Sequence, residues 1–408
     1  MKPLIVQKYG GATLADPEKI KAVSARIAKQ SQENSLLVVV SAMGKTTNQL
    51  IDLASQVSSH PQRREMDMLL TVGERISMSL VSMALNDLGC QAISFTGSQA
   101  GIFTDDSHVN AFIKDVKGFR VEEALQNDKV VILAGFQGVS PITKEITTLG
   151  RGGSDTSAVA MAAAFKAERC EILKDVPAVF TADPNVAKDA RPLQELNYDQ
   201  LMEMTFWGAK VLHYRSVELA KVRDVTLYIG PASNKTSDGT LVKKGLNMFE
   251  SCKALSLNSH EIVLKINSQE KNTAKALKKL QDLFEAKQIA FPQLLHCEIS
   301  EGNTEILLTG PQEIMGAVKR EIQAQKEFAL NSTDFSTVTL TCTGATSPEI
   351  PQKVLEKVDA AQIQAHKLIM SAMSVTLVVN ASERKKAIEV LHPLIAVDAG
   401  RTVAPAEV

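Results

Sequence analysis

The chain has 408 residues, a formal net charge of −1 and five cysteines without C-x-x-C spacing. Its length predicts two or three domains, and its balanced charge excludes a strong global attraction for nucleic acid or anionic membranes. The cysteine pattern argues against a disulfide framework or a zinc knuckle. Without a secretory leader or an apolar run of about 20 residues, the sequence predicts a cytoplasmic protein.

The first half of the chain alternates short β-branched runs with longer helical patterns. We predict one helix capped by Asp16 and another, from Glu65 to Leu88, that ends at Gly89. This alternation is typical of a mainly parallel sheet with helices on both faces, an α/β domain of three layers (αβα) over residues 1–232. The predicted strands run from Leu4 to Gln7, Leu36 to Val40, Gln91 to Phe95, Val130 to Ala134, Glu171 to Leu173 and Val225 to Ile229.

The pattern changes after a polar, turn-rich linker that we predict at residues 233–249. Residues 250–330 and 331–408 each show strands and helices in the order of a small βαββα unit. In the second unit a strand hairpin is predicted from Leu368 to Val379. Two consecutive units of this kind indicate a duplicated module.

Two common nucleotide-binding motifs are incomplete in this chain. Residues 44–46 (Gly-Lys-Thr) end like a P-loop, but Val39 stands where the first glycine is required. Residues 150–152 (Gly-Arg-Gly) begin like a dinucleotide fingerprint, but Asp155 takes the place of its last glycine. Neither fold is supported.

A stronger phosphate-binding pattern is Val-Gln-Lys-Tyr-Gly-Gly at residues 6–11, where a strand runs into two glycines ahead of a capped helix. The glycines would let backbone N–H groups approach a polyphosphate, and Lys8 could neutralise charge on a transferred phosphoryl group. A strand-turn-helix corner also needs glycine for steric reasons alone. By itself this motif leaves both interpretations open.

A second pattern is Leu-Gly-Arg-Gly-Gly-Ser-Asp at residues 149–155, which precedes a helix of small apolar residues. It combines a cation, a carboxylate, a hydroxyl and three glycines in one loop, which favours a binding loop over an ordinary surface turn. Asp155 could cap the following helix, and capping is compatible with a catalytic role.

Together with further segments, these motifs resemble the aspartate kinase branch of the amino-acid kinase family. The similarity runs from Val6 to about Ala220, with the segments in the family's order. The matching segments are residues 8–11 (KYGG), 38–43 (VVVSAM), 70–74 (LTVGE), 96–101 (TGSQAG), 134–139 (AGFQGV), 148–155 (TLGRGGSD), 180–184 (FTADP) and 208–213 (GAKVLH).

The resemblance implies ATP-dependent phosphorylation of the L-aspartate side chain to 4-phospho-L-aspartate, the first step toward lysine, threonine, methionine and diaminopimelate. It implies that Glu74 binds the ammonium group, that Arg151 binds the α-carboxylate, and that Asp155 orients a catalytic Lys8. Mg²⁺ is expected to be held mainly by the ATP phosphates, without a protein metal site. Further substrate contacts are implied for Thr47, Phe136, Gly152, Gly153 and Ser154. ATP contacts are implied for Lys8, Tyr9, Gly10, Gly11, Ser41, Lys174, Asp175, Phe180, Asp183, Asn185 and Lys210.

The chemistry of aspartate agrees with these residue types. Its β-carboxylate has an ordinary pKa of about 4, so it is ionised at neutral pH and needs no general base. An arginine suits a planar carboxylate because its fork donates two parallel hydrogen bonds. Glu74 could be a solvated helix carboxylate, but it lies on an apolar helix where an unpaired charge is costly.

The sequence departs from the family pattern in two places. Residues 173–185 read LKDVPAVFTADPN, where Asn185 replaces a usual arginine while Lys174 adds a cation nearby, so ATP affinity is expected to differ. Tyr214 replaces a usual proline. The C-terminal part resembles paired ACT modules, small ferredoxin-like βαββαβ folds that can exchange strands, but residues 268–272 and 344–348 lack the usual ligand turns. A homodimer through these modules is expected, whereas inhibition by lysine or threonine and a shorter companion subunit are left open.

Two alternatives to an active aspartate kinase remain at this level. One is a catalytically weak or silent regulatory protein that binds an amino acid on the same scaffold, which the altered segment 173–185 favours. The other is a kinase for a different small carboxylate. The intact set of Lys8, Glu74, Arg151 and Asp155 favours the enzyme, with ATP and L-aspartate as its small-molecule partners.

Overall fold

The computed structural model describes residues 2–233, 239–245, 254–270, 272–287, 289–300, 303–330, 334–343 and 345–395. The chain forms two compact units. The first comprises Met1–Val179, Pro192–Thr205 and Lys210–Leu246; the second comprises Phe180–Arg191, Phe206–Ala209 and Asn247–Val408. Residues 180–191 and 206–209, which lie within the predicted first domain, thus cluster with the second unit.

The secondary structure up to residue 246 begins with a short strand that leads into a 3-10 turn and a helix. Its strands are β1 (Leu4–Tyr9), β2 (Ser35–Val40), β3 (Ala92–Phe95), β4 (Ile102–Thr104), β5 (Ile113–Val116), β6 (Val130–Ala134), β7 (Gln137–Val139), β8 (Ile146–Thr148), β9 (Arg169–Lys174), β10 (Val179–Phe180), β11 (Pro192–Leu193), β12 (Glu195–Asn197), β13 (Leu227–Pro231) and β14 (Thr240–Lys243). Its helices are α1 (Pro17–Gln30), α2 (Thr46–Val57), α3 (Arg63–Leu70), α4 (Val72–Asp87), α5 (Phe119–Gln126), α6 (Gly153–Ala164), α7 (Tyr198–Phe206) and α8 (Tyr214–Arg223), with a 3-10 turn at Gly11–Leu14.

The main sheet of the first unit has the strand order β12-β14-β13-β9-β1-β2-β6-β3. Every neighbouring pair is parallel except β13 with β14, which confirms the predicted mainly parallel sheet. Strands β2 and β6 are nearly continuous apolar runs, as expected where helices cover both faces of a parallel sheet, whereas β1 and β9 also carry polar and charged residues. The carboxyl ends of β1, β2 and β9 meet at one edge of the sheet, where α/β folds commonly bind ligands.

A second, four-stranded sheet in the order β5-β4-β7-β8 was not predicted. Its strands have only three or four residues, too few to show an alternating pattern. This small sheet matters for function because β8 leads directly into the loop 149–153.

The helix predicted from Glu65 to Leu88 is divided at Thr71 into α3 and α4, and Thr71 Oγ1 donates to Met68 O at 3.1 Å. Gly89 has the expected left-handed conformation, with φ of +74°. By length and composition Arg63–Asp87 could cross a membrane, but 50% of its apolar window is buried inside the protein, as in a core helix.

The predicted linker 233–249 is described only in part, since residues 234–238 and 246–249 lie outside the described residues. Within it, Thr240–Lys243 forms β14, which pairs with β13. That segment is therefore part of the main sheet.

The second unit contains an antiparallel sheet of eight strands, in which β17-β18-β16-β20-β22-β21 form the main path. Its strands are β15 (Ala254–Asn258), β16 (Val263–Ser268), β17 (Gln293–Ser300), β18 (Asn303–Thr309), β19 (Phe328–Leu330), β20 (Phe335–Cys342), β21 (Ala365–Met370) and β22 (Ser374–Asn380). Its helices are α9 (Thr273–Ala286), α10 (Gln312–Gln323), α11 (Glu349–Ala360) and α12 (Arg384–Leu391), with 3-10 turns at Ala381–Glu383 and His392–Leu394.

The order of these elements confirms two ferredoxin-like modules and the predicted β21-β22 hairpin. The elements β16-α9-β17-β18-α10-β19 form a complete βαββαβ unit, whereas β20-α11-β21-β22-α12 has no final strand among the described residues. Instead β15, which precedes both modules in the chain, pairs with β20. The sheet is thus completed by a strand from a distant part of the sequence.

Candidate active site

A buried ion pair joins Lys8 and Asp155 in the first unit. Lys8 is the fifth residue of β1, the strand between β2 and β9, and Asp155 lies in the first turn of α6. Both side chains are 8% exposed, and Lys8 Nζ lies 2.6 Å from Asp155 Oδ1. Because desolvation offsets much of the attraction in such a pair, it is weak evidence for a stabilising role. The pair instead holds a lysine at the edge of the sheet where α/β folds commonly bind ligands.

Glu74 provides a second buried charge, in the first turn of α4. Its Oε1 accepts a hydrogen bond from Ala42 N at 3.1 Å, and no described residue hydrogen-bonds to its buried Oε2. Burial raises the pKa of Glu74 to about 7, although the Ala42 N–H and the positive charge of Lys8 act in the opposite direction. A Cβ at Gly73 would lie 2.7 Å from the Ala42 Cβ, so glycine is needed for this close approach. Glu74 therefore has one oxygen available for a positively charged ligand.

The turn after β1 leaves space beside the lysine. A Cβ built on Gly10 would have only Lys8 Nζ within 4 Å, at 3.8 Å. A Cβ on Gly11 would instead lie 2.7 Å from Ala42 O, so this glycine is required by close backbone packing. The open space over Gly10 and the adjacent ammonium group fit the phosphate tail of a nucleotide.

The loop 149–153 is built around glycines. Gly150 and Gly152 have φ of +72° and +68°, the left-handed region that glycine adopts without strain. A Cβ on Gly152 would lie 2.2 Å from the His213 Cβ, and one on Gly153 would lie 2.8 Å from Phe136 Cδ2. These close approaches leave no room for a side chain at the two positions that follow Arg151.

Phe136 is itself in a left-handed conformation, with φ of +70°. Its N–H donates to Ser157 Oγ at 3.1 Å, and its carbonyl oxygen accepts from Leu149 N at 2.9 Å. The predicted substrate contact Phe136 is thus bonded to α6 and to the loop that carries Arg151.

Arg151 is exposed at the surface of this loop. Burial lowers the pKa of His213, the positive charges of Arg215 and Arg151 lower it further, and the negative charge of Asp155 opposes them. His213 therefore lies within the electrostatic reach of both the arginine loop and the Lys8–Asp155 pair.

On the predicted nucleotide side, Lys174 ends β9 next to β1. Its Nζ donates to Lys210 O at 3.5 Å. Burial lowers the pKa of Lys174, and Lys8 contributes in the same direction, whereas Asp155 and the exposed Asp175 oppose the shift. Lys174 and Lys8 thus lie close enough for their positive charges to interact, a combination suited to an anion.

The other predicted site residues of the first unit differ in burial and in their contacts. The Tyr9 ring is fully buried in the hydrophobic core, which gives it a packing role. Ser41 follows β2, and its N–H donates to Tyr9 O at 3.2 Å. Thr47 is half-buried in the first turn of α2, and Ser154 is buried in the first turn of α6.

Phe180, Asp183 and Asn185 cluster with the second unit. There Asp183 Oδ1 accepts from both the backbone N and the side-chain Nδ2 of Asn185, at 2.9 Å and 3.0 Å. The structure thus gives Asn185 a turn-forming contact with Asp183, and the predicted ATP contacts of these three residues stay predictions.

Sequence reasoning missed Asp67, a fully buried acid on α3. It accepts hydrogen bonds from Thr148 Oγ1 at 2.6 Å, His108 Nδ1 at 2.7 Å and Val109 N at 3.0 Å. On the single helix predicted from Glu65 to Leu88, a spacing of seven residues would place Asp67 and Glu74 on one face, but the structure divides that helix at Thr71.

The described residues contain no group of three or more His, Cys, Asp or Glu side chains arranged to hold a metal ion. They do bring together the buried Lys8, the half-buried Lys174, an acid with an available oxygen and a glycine-rich loop with an arginine. This set can bind an anionic phosphate and a zwitterionic ligand at one edge of a sheet.

Comparison with known proteins gives a consistent picture. Residues 3–231 match the Amino acid kinase family. An aspartokinase of Mycolicibacterium smegmatis is 39% identical over 95% of each chain, and one of Bacillus sp. (strain MGA3) is 37% identical over 95% of this chain and 96% of that protein. The structure of E. coli aspartokinase III in complex with aspartate and ADP (R-state) has a TM-score of 0.76 at 21% identity, covering 96% of this chain and 99% of that chain. The aspartate kinase of Synechocystis is 32% identical, with a TM-score of 0.55, over 98% of this chain and 71% of that chain.

Proposed function

The chain belongs to the aspartokinases of the amino acid kinase family, and on that premise we propose roles for its own residues. It transfers the γ-phosphoryl group of ATP to the side-chain carboxylate of L-aspartate. The observation that carries the assignment of residues is the buried Lys8–Asp155 pair together with Glu74 Oε2, which has no hydrogen-bond partner among the described residues.

Glu74 binds the ammonium group of aspartate. Its free oxygen can accept a hydrogen bond from that group, and the positive charge stabilises the ionised carboxylate that burial disfavours. Arg151 binds the α-carboxylate with two parallel hydrogen bonds. Thr47, Phe136 and Ser154 complete the amino-acid site, and the glycines at 152 and 153 let the loop approach the ligand.

Phosphoryl transfer then depends on charge neutralisation. The β-carboxylate of aspartate is already ionised and attacks the γ-phosphorus as the bond to the β,γ-bridging oxygen breaks. Lys8 lies beside the open space over Gly10 and stabilises negative charge on the transferred group, while Asp155 holds the Lys8 ammonium in place. Lys174, the last residue of β9, binds the phosphates of the ADP that leaves. Mg²⁺, bound to the ATP phosphates, would neutralise charge on their oxygens.

A test of this function traps the product chemically. Purified protein is incubated with ATP, Mg²⁺ and either L-aspartate or L-glutamate, and hydroxylamine converts the acyl phosphate into a hydroxamate. We expect hydroxamate that depends on aspartate. Aspartate binding without hydroxamate would support the silent regulatory protein, and hydroxamate with glutamate alone would support a kinase for another carboxylate.

We further propose a cytoplasmic homodimer that assembles through the ferredoxin-like modules. The described cysteines, Cys90, Cys170, Cys297 and Cys342, are free thiols, in keeping with a reducing compartment. Strands β17 and β21 end the sheet path of the second unit and expose Ile299 (71%) and Met370 (45%), which suits an edge that pairs with another chain. Light scattering at micromolar concentration tests this proposal, and a strict monomer would contradict it.

A further inference from the structure

Asp67 is a fully buried carboxylate outside the residues assigned above. Its Oδ1 accepts from Thr148 Oγ1 at 2.6 Å and from Val109 N at 3.0 Å, and its Oδ2 accepts from His108 Nδ1 at 2.7 Å. Val109 N also lies 3.2 Å from Oδ2. Two chain segments far from α3 in sequence thus converge on one side chain.

The first segment is under backbone strain. Val109 has φ of +70°, and a β-branched residue in the left-handed region is a genuine outlier. Such strain persists only where surrounding contacts enforce it. The two oxygens of Asp67 that receive the Val109 N–H provide such a contact.

The second segment leads to Arg151, the arginine proposed to bind the substrate. Thr148 is the last residue of β8, three residues before Arg151. Its carbonyl oxygen accepts from Ala111 N at 2.8 Å, which joins it to the strained segment.

The strained segment also touches the loop beyond Thr148. A Cβ on Gly150 would lie 2.7 Å from Asn110 Oδ1 and 3.1 Å from Val109 O, so the two backbones are in close contact there. Asn110 Oδ1 accepts from Arg215 Nη1 at 2.7 Å. Residues 108–111 therefore pack against the loop that carries Arg151. Asp67 hydrogen-bonds both to this segment and to Thr148, just before the loop.

We infer that Asp67 is a positioning residue that sets the enzyme's selectivity for the α-carboxylate of its substrate, by fixing the loop that presents Arg151. This inference rests on the proposed role of Arg151. Asp67 touches neither substrate nor ATP in this scheme. Its removal should therefore weaken recognition of the α-carboxylate specifically, while contacts made through Glu74 and Lys8 persist.

The test compares two ligands that differ only at the α-carboxylate. The α-amide of L-aspartate keeps the ammonium group and the β-carboxylate but has no negative charge for Arg151 to bind. Calorimetric dissociation constants for aspartate and its α-amide give a selectivity ratio for each variant. In Asp67→Asn, an NH₂ group replaces one acceptor oxygen, and we expect the ratio to fall about tenfold, mainly through weaker aspartate binding.

The chain offers a matched pair of control substitutions on β8. Thr148→Val removes the hydroxyl that donates to Asp67, whereas Thr147→Val removes an equally buried hydroxyl that pairs with Thr104 Oγ1 at 2.6 Å. We expect Thr148→Val to lower the selectivity ratio and Thr147→Val to preserve it. This pair decides the question even if Asp67→Asn does not fold.

The outcomes separate the inference from its premise. An unchanged ratio in folded Asp67→Asn, or equal effects of the two threonine substitutions, overturns the positioning role. Equal wild-type affinity for the two ligands instead overturns the assignment of Arg151, and the inference with it.

Discussion

The two units bury polar groups of different kinds. In the first unit, the buried side chains include the charged groups of Lys8, Asp155 and Glu74 beside a mainly parallel sheet. In the second, β20 is buried along its whole length, and its polar residues are hydroxyls such as Thr339, whose Oγ1 lies 2.8 Å from that of Thr376.

This difference distinguishes buried groups that support the fold from buried groups proposed to act on the substrate. A buried hydroxyl carries no charge and adds little cost when it has a hydrogen-bond partner, so the second unit can keep such groups for sheet structure alone. Thr341 Oγ1 on β20 has no partner among the described residues, but it too buries no charge. A buried charge is expensive, and Glu74 has an oxygen without a described partner. Under the proposed roles, the first unit retains these costly groups because they bind and phosphorylate a charged substrate.

The largest expected effect follows the loss of the sheet lysine. Lys8→Met should lower kcat/KM for aspartate by about a thousandfold, because a cation that stabilises the transferred phosphoryl group is lost. It should also destabilise the first unit by about 3–5 kcal/mol, because Asp155 is left buried and unpaired. Hydroxamate formation and thermal unfolding measure the two effects, with Lys19→Met on the exposed face of α1 as the control. Activity within tenfold of wild type would remove Lys8 from catalysis.

The next effect concerns the ammonium contact. Glu74→Gln keeps an acceptor for Ala42 N but removes the charge, and kcat/KM for aspartate should fall about a hundredfold with KM for ATP little changed. Glu65→Gln, an exposed carboxylate on α3, is the matched substitution and should have no such effect. A change confined to KM for ATP would contradict the role of Glu74.

A smaller effect is expected from pH. Glu74 must be ionised to bind the ammonium group, and its pKa is raised to about 7. Below that pH, kcat/KM for aspartate should therefore fall about tenfold per unit, and the fall should be absent in Glu74→Gln. A profile flat from pH 5.5 to 8 in the wild type would show that Glu74 is ionised throughout.

The same pKa also makes a prediction for stability. Glu74 has its ordinary pKa of 4.5 in the unfolded state and a pKa of about 7 in the folded state. Between these two pH values the folded state keeps a proton that the unfolded state has released, so the free energy of unfolding falls as pH rises through this window. The contribution is about 3 kcal/mol. Denaturant unfolding should show this loss in the wild type relative to Glu74→Gln, and parallel pH curves for the two proteins would contradict it.

The smallest effect is expected in the second unit. The double substitution Thr339→Val with Thr376→Val replaces both partners of a buried hydroxyl pair by groups of the same shape, so stability should change by less than about 1 kcal/mol. Turnover should stay within about twofold of wild type. A tenfold loss of kcat would mean that the hydroxyls of this sheet are more than scaffold.

Much of the first unit could be predicted because its features are local. Long β-branched runs indicated the central strands, and the glycines around Lys8 and Arg151 indicated two candidate binding segments. The four-stranded sheet and the role of Asp67 could not be predicted, because three-residue strands carry no periodicity and Asp67 gains its partners from residues 108–109 and 148. The pairing of β15 with β20 could not be predicted from the sequence either, because it joins segments about 80 residues apart and neither local pattern indicates its partner.

One double variant tests the central claim most directly. Lys8→Met combined with Asp155→Leu replaces the buried ion pair by apolar side chains of similar size, which often preserves or increases stability. The account predicts a protein that unfolds at or above the wild-type temperature and forms no aspartate-dependent hydroxamate. A stable double variant that still phosphorylates aspartate would show that the pair serves the fold instead of the reaction.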